Sequence, residues 1–181
     1  MTGHVVTSPR PELETGRLRL RQFREDDLDA YARITADPET TRYIGDGRPF
    51  DRDEAWRSLS YLLGHWEMRG FGLWAAEEKT SGALVGRIGL YRPEGWPGLE
   101  VGWLVDRRRE GEGFATEGGE AALRWAFETL APPRVISLIQ PANAASIRVA
   151  EKLGERCERE IELSGKRVLL YAIDAATWAA R

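Results

Sequence analysis

One stretch of this chain admits few folds. Glu100-Val101-Gly102-Trp103-Leu104-Val105 runs through Asp106-Arg107-Arg108-Arg109 into Glu110-Gly111-Glu112-Gly113-Phe114-Ala115-Thr116, and from there directly into a helical pattern. Val101, Trp103 and Val105 point one way and Leu104 the other, so both faces are largely apolar and the spacing predicts a central strand. The first amides of a helix lack internal partners and the helix dipole is positive there, so a strand, a glycine loop and a helix start together suit an anion. Gly111, Gly113 and Ala115 keep bulky side chains out of the approach.

The rest of the chain frames that stretch. Arg17 to Arg21 alternates charged and apolar residues and reads as a first strand. Helices are expected over Asp26 to Ala36 and from Asp51 to about Arg69, the second stopped by Gly70. Phe71 to Ala76, Ala83 to Tyr91 and Leu99 to Val105 follow as three antiparallel strands joined by short turns. A helix from Ala115 to about Leu130, with Ala122, Trp125, Ala126 and Thr129 on one side, ends at Pro132-Pro133. A strand over Arg134 to Gln140, a helix over Asn143 to Leu153 stopped by Gly154, and a hairpin of Arg159 to Leu163 with Val168 to Ile173 complete the order. The order β-αα-βββ-α-β-α-ββ predicts an α/β (α+β) chain: a mixed, mostly antiparallel, seven-stranded sheet with helices on both faces. One domain over residues 13–181 is expected, behind a flexible tail of residues 1–12.

Two common phosphate folds are excluded by the same pattern. A dinucleotide-binding site needs a third glycine and flanking βαβ units, and these strands are joined by short turns. No Gly-Lys-Ser/Thr follows the glycines, which removes a P-loop. The formal charge of −3, from 26 Lys plus Arg and 29 Asp plus Glu, gives no general attraction to nucleic acid or to an anionic membrane. No apolar run reaches the ~18 residues of a bilayer span. A single cysteine, Cys157, permits no internal disulfide and reads as packing; with the polar start of the chain it implies a cytoplasmic setting. His4 and His65 stand alone, without a cysteine or acidic cluster, so no metal is expected.

LEVGWLV, REGEGFATEGGEAALRWAF and NAASIRVAEKLG, in this order, resemble the GCN5-related N-acetyltransferases (GNAT), most of all the branch of ribosomal-protein N-terminal acetyltransferases and their small-molecule relatives. The likeness runs from about Leu13 to Trp178. It implies acetyl-coenzyme A as cosubstrate. The pyrophosphate would be held by backbone amides across Arg109, Glu110, Gly111, Glu112, Gly113, Phe114, Ala115 and Thr116, and the pantetheine would pair with the strand at Val101, Trp103, Leu104 and Val105. Glu110 departs from the family, which often carries Arg or Gln there, and a carboxylate beside a pyrophosphate is repulsive. Arg107 to Arg109 can offset it if Glu110 turns to solvent, or they are simply a solvated strand end.

Transfer from a thioester to an amine requires a neutral amine and a stabilised oxyanion. Glu100 begins the central strand beside the expected thioester, where burial would raise its pKa toward that of a general base; the bland alternative is an ion pair or a solvent-facing strand end. Asn143 and Ser146 read locally as an N-cap with its N3 residue, while the resemblance implies that Asn143 contacts coenzyme A or an ordered water and that Ser146, in the Asn-x-x-Ser pattern, lies near the sulfur as a candidate proton donor. Tyr171 is a second candidate donor or, alternatively, a core aromatic with its hydroxyl at the edge. An oxyanion is expected at a central-strand backbone N–H near Gly102 or Trp103, left unpaired where the strands splay at a bulge. Tyr31, Arg42, Tyr43, Trp56, Trp66 and Trp96 fall in regions expected to wall an acceptor pocket, most of the aromatics being core. The acceptor is an amine, either a protein N-terminus or a small molecule, on a monomer or homodimer; the alternative is a non-catalytic acyl-coenzyme A-binding module.

Overall fold

A computed structural model of the chain describes residues 10–181. Most of the expected 1–12 tail, with His4, lies outside the described residues. Within it, Arg10 donates to Glu67 at 2.5 Å and the Pro11 carbonyl accepts from the Trp74 indole at 2.8 Å.

The elements follow the expected order with additions. They are β1 (Leu13–Glu14), β2 (Leu18–Arg21), α1 (Leu28–Thr35), α2 (Pro38–Thr41), α3 (Arg52–Arg69), β3 (Leu73–Glu78), β4 (Leu84–Tyr91), β5 (Glu100–Val105), α4 (Phe114–Trp125), β6 (Arg134–Ile139), α5 (Ala144–Lys152), β7 (Arg156–Leu163), β8 (Lys166–Asp174) and α6 (Ala175–Ala179). The sheet has eight strands, not the expected seven, in the order β1-β2-β3-β4-β5-β6-β8-β7. The additional strand is β1, two residues folded back on β2 through Thr15, too short to show a period. The helix expected to reach Leu130 changes to a π turn at Ala126–Leu130, and this leaves Thr129 exposed while Leu123 takes the buried place.

Local chemistry explains the well-defined ends. Asp51 accepts from the Glu54 amide at 2.7 Å, the Glu54 carboxylate accepts from the Asp51 amide at 2.9 Å, and Gly70 closes α3 in the left-handed conformation at φ 73°. On one face of the sheet Val101, Trp103 and Val105 pack with Ile88, Leu90, Phe114, Ala122 and Leu153 under α4 and α5. On the other, Leu104 packs with Leu73, Ala75, Ile34, Leu59 and Leu62 under α1 and α3. The central strand thus alternates as its sequence predicts. Gly118 and Gly119 let α4 press onto its neighbours: an added Cβ would stand 2.6 Å from Ile88 and 2.9 Å from Leu153.

Every strand pair is antiparallel except β5 with β6, which is parallel and registered at Glu100↔Ile136 alone. Beyond that pair the two strands diverge and open the middle of the sheet.

Candidate active site

The opening follows from hydrogen-bond bookkeeping. The Ile136 amide donates to the Leu99 carbonyl at 2.8 Å, and the Asp106 amide donates to the Val85 carbonyl of β4 at 2.8 Å. Main-chain groups alternate along a strand, so the odd-numbered residues of β5 face β6 and the even-numbered ones face β4. Past the single registered pair, side chains replace the ladder. The Ser137 hydroxyl reaches the Val101 carbonyl at 2.9 Å, and the Leu138 amide points at a Glu100 carboxylate oxygen at 3.4 Å. The next odd-numbered donor, the Trp103 amide, faces the gap without a strand partner.

The expected splaying lies between β5 and β6, and the bulge expected with it is absent. The β4–β5 pairing is continuous from Gly86↔Val105 to Tyr91↔Glu100, the main-chain groups of Gly102 face β4, and divergence from β6 exposes Trp103.

A cavity of about 590 Å³ occupies the gap and is lined from both faces of the sheet. On the α5 side it is lined by Val101, Trp103, Ile139, Asn143 and Ser146, and on the α3 side by Tyr61, Leu62, Arg87, Tyr91, Trp96 and Glu100. Of the residues expected to wall an acceptor pocket, Tyr43 and Trp96 do so. Tyr31 and Trp66 are core, Trp56 is 52% exposed, and Arg42 lies over the Tyr43 ring on the surface.

Glu100 is in the cavity wall, its Oε2 accepting from the Trp96 indole at 2.6 Å. Burial pushes its pKa up to about 7 against the opposing pull of the Trp96 and Leu138 donors and the Arg87 charge. It has no ion pair among the described residues, so the ion-pair alternative is not realised. Tyr91 stacks on His65 with centroids 5.2 Å apart, meets Trp96 edge-on at 5.3 Å, and exchanges a hydrogen bond with Tyr61 at 3.1 Å. His65 accepts at Nε2 from the Arg92 amide, so its Nδ1 carries the hydrogen donated to the Phe71 carbonyl, and burial lowers its pKa. Among the described residues no group of three or more His, Cys, Asp or Glu could hold a metal ion.

Asn143 caps α5, its side-chain oxygen accepting from the Ser146 amide at 3.1 Å. The Ser146 hydroxyl accepts from the Trp103 indole at 3.2 Å, which leaves its own hydrogen free for the cavity. Tyr171 is only 6% exposed, packs with Ile139 and Ala150, and does not line the cavity.

The glycine loop lies beyond the far end of β5. Gly111 (φ 81°) and Gly113 (φ 87°) are left-handed, and among the described residues the amides from Gly111 to Thr116 have no hydrogen-bond partner. An added Cβ at Gly111 would meet nothing, and the unpartnered amides suit an anion. The arginines are already occupied. Arg109 forks onto Glu78 (2.7 Å) and Glu112 (2.8 Å) and holds both carboxyls below their ordinary range; Arg108 binds Asp106, and Arg107 lies between Glu39 and Glu110. Glu110 is half exposed, 3.6 Å from Arg107. With these charges mutually neutralised, the backbone amides are the loop's free donors. Leu104, on the opposite face, packs under α1 and α3.

Sequence reasoning missed Tyr61, Arg87, Tyr91 and Ser137. The available signal was alternation in β4, which puts Arg87 and Tyr91 on one face in register with Leu104 and Glu100.

The profile of the acetyltransferase (GNAT) domain family matches residues 17–156. The Bacillus subtilis (strain 168) protein YkkB is 30% identical over 168 residues, which cover 88% of this chain and 94% of YkkB. The FsC-acetyl coenzyme A-N(2)-transacetylase of Aspergillus fumigatus is 30% identical over 159 residues, 83% of this chain and 67% of that protein. An acetyltransferase from Agrobacterium tumefaciens str. C58, solved by crystallography, superposes with a TM-score of 0.79 at 34% identity, covering 90% of this chain and 94% of its own.

Proposed function

The chain belongs to the GNAT acetyltransferase family, and from that premise we propose that it transfers the acetyl group of acetyl-coenzyme A to a primary amine by direct attack in a ternary complex. The observation that carries this reading is Glu100: a carboxyl with a pKa of about 7, in a cavity wall, at the mouth of a gap into which the Trp103 amide points.

Acetyl-coenzyme A supplies a thioester whose C–S bond breaks as the amine nitrogen bonds to the carbonyl carbon. Glu100 takes the proton that the amine gives up; near pH 7 its charged and neutral forms are both populated, the condition for proton transfer in either direction. The Trp103 amide donates to the oxygen on which negative charge develops, fixed in place by the strand and with no competing acceptor. Ser146, whose lone pair is engaged by the Trp103 indole, turns its hydrogen toward the departing sulfur. Backbone amides from Gly111 to Thr116, with the start of α4, hold the pyrophosphate, and the open edge of β5 at Val101, Trp103 and Val105 lies alongside the pantetheine. Asn143 sets the start of α5 and with it the position of Ser146. Tyr171, outside the cavity wall, has no part in this scheme.

The test is calorimetric binding of acetyl-coenzyme A followed by thiol release against a panel of peptides and small amines. Binding with amine-dependent release, and a Glu100→Gln variant that binds but does not release, is the expected result. No binding, or equal release by the variant, would overturn the proposal.

A further inference from the structure

Arg87 sits on β4 facing the α1 and α3 side, opposite Leu104 of β5 and Ala75 of β3, where it lines the cavity in the company of Leu62, Leu73 and Tyr91. It is half-buried. Among the described residues it is the single arginine or lysine withdrawn from full exposure that makes neither an ion pair nor a hydrogen bond. The other charges around the cavity are accounted for: Asp46 pairs with Arg48, and Lys166 donates to the Gly45 carbonyl. Glu100 feels the Arg87 charge but does not pair with it.

A guanidinium with five donors, partly removed from water and unpaired, is a costly arrangement in a folded protein. Its planar fork matches a carboxylate or phosphate in two-point contact. Tyr91 is opposite Glu100 in register, which puts Arg87 four positions farther along the same face, roughly 13 Å at the usual strand rise. Both side chains line one cavity and Glu100 feels the Arg87 charge, so their heads stand closer than their backbones, a span of several bonds between an amine at Glu100 and an oxyanion at Arg87.

We infer that the acceptor is a small primary amine carrying an oxyanion, a carboxylate or a phosphate, several bonds from the nitrogen, and that Arg87 is the residue that selects it. The inference rests on the acetyl-transfer reading for the position of the amine, and it replaces the open choice between a protein N-terminus and a small molecule with the latter.

The experiment uses ω-amino carboxylates and ω-amino phosphates of graded length, each matched to the alkylamine of the same chain, as acceptors in thiol release. Their N-acetylated products are titrated calorimetrically into the protein saturated with coenzyme A. In the wild type, one oxyanion series exceeds its neutral counterparts at least tenfold in both readouts, and which series does so tells carboxylate from phosphate. Arg87→Gln erases that ratio, and Arg87→Lys, which keeps the charge without the fork, retains part of it; acetyl-coenzyme A binding reports that each variant is folded.

Absence of a preference in the wild type would overturn the inference, as would a ratio that survives Arg87→Gln. An equal loss for both acceptor classes with a displaced pH profile would show that Arg87 acts only on Glu100, and would overturn it too. Product binding that depends on Arg87 without thiol release from any amine would sink the acetyl-transfer reading and leave the oxyanion site standing.

Discussion

The Ser137 hydroxyl lies 3.0 Å from a Glu155 carboxyl oxygen, at the place where β5 and β6 part. Glu155 is 2% exposed, follows Gly154 at the end of α5, and its second carboxyl oxygen has no partner. Ser137 has one hydrogen and two oxygens to satisfy, since the Val101 carbonyl is 2.9 Å away. Both contacts are met when Glu155 keeps its proton and donates to Ser137, leaving the serine hydrogen for Val101. Burial, with the nearby Glu100 charge, pushes the Glu155 pKa up to about 8. The sheet opening is therefore held by a neutral acid.

That assignment fixes a stability trend. A carboxyl whose folded pKa lies above its unfolded value holds its proton more tightly when folded, so its contribution is complete below pH ~4.5 and is lost as pH rises through about 8. Glu155→Gln mimics the neutral acid and removes this dependence. Denaturant unfolding at pH 5 and pH 8.5 should show the wild type losing on the order of 3 kcal/mol more than the variant across that window. Parallel curves would mean that Glu155 is already charged at low pH.

Glu100 gives a catalytic counterpart. As a base it works deprotonated, so the rate should rise with pH through a midpoint near its pKa of about 7. Glu100→Gln should lower kcat by roughly 10²- to 10⁴-fold. Trp96→Phe deletes the indole donor at 2.6 Å, which favours the charged form, so the midpoint should move to higher pH with the plateau rate retained. A midpoint unmoved by Trp96→Phe would assign the acid limb to another group.

These positions also show what the sequence can disclose. The cap at Asp51, the stop at Gly70 and the alternation of β5 are local signals, and local rules place them correctly. Glu155 is different: its carboxylate reads as surface until the α5 turn and Ser137 close over it. Arg87 likewise reads as a solvated strand residue, and its loneliness is a property of the assembled cavity. The edge strand β7 begins at Arg156, earlier than the expected Arg159, because it is charged on both faces and carries a bulge between Cys157 and Arg159. An edge needs no apolar alternation to pair. The β5–β6 divergence has no sequence signal at all, since it depends on which side chains replace the ladder.

A second stability prediction concerns the ion pair that Arg21 makes with Asp27, the residue just ahead of α1. Arg21 forks onto Asp27 with two contacts of 2.8 Å, and reaches Glu77 at 2.7 Å, all three carboxyl and guanidinium groups being largely buried. Asp27→Ala removes the two-point partner and leaves Arg21 on Glu77 alone, for a loss of ~2 to 4 kcal/mol in denaturant unfolding, below that of a fully unpaired buried charge. A loss under ~1 kcal/mol would show that Glu77 alone can hold Arg21.

The glycine loop supplies the last test, because its arginines are spoken for and its amides are free. Gly113 holds φ 87° at the start of α4, and an added Cβ would stand 3.4 Å from the Arg17 guanidinium. Gly113→Ala forces a side chain into a conformation costing about 1 to 2 kcal/mol, or turns the loop so that its amides no longer converge. Acetyl-coenzyme A affinity should fall about tenfold by calorimetry. Glu110→Gln should act oppositely and weakly: it removes a half-exposed negative charge beside the loop, which strengthens anion binding by under ~1 kcal/mol at low salt and less as salt rises. If Arg109→Gln weakens binding no more than the loss of fold stability explains while Gly113→Ala lowers it about tenfold, the amides hold the pyrophosphate. The reverse ranking would give that role to the arginine.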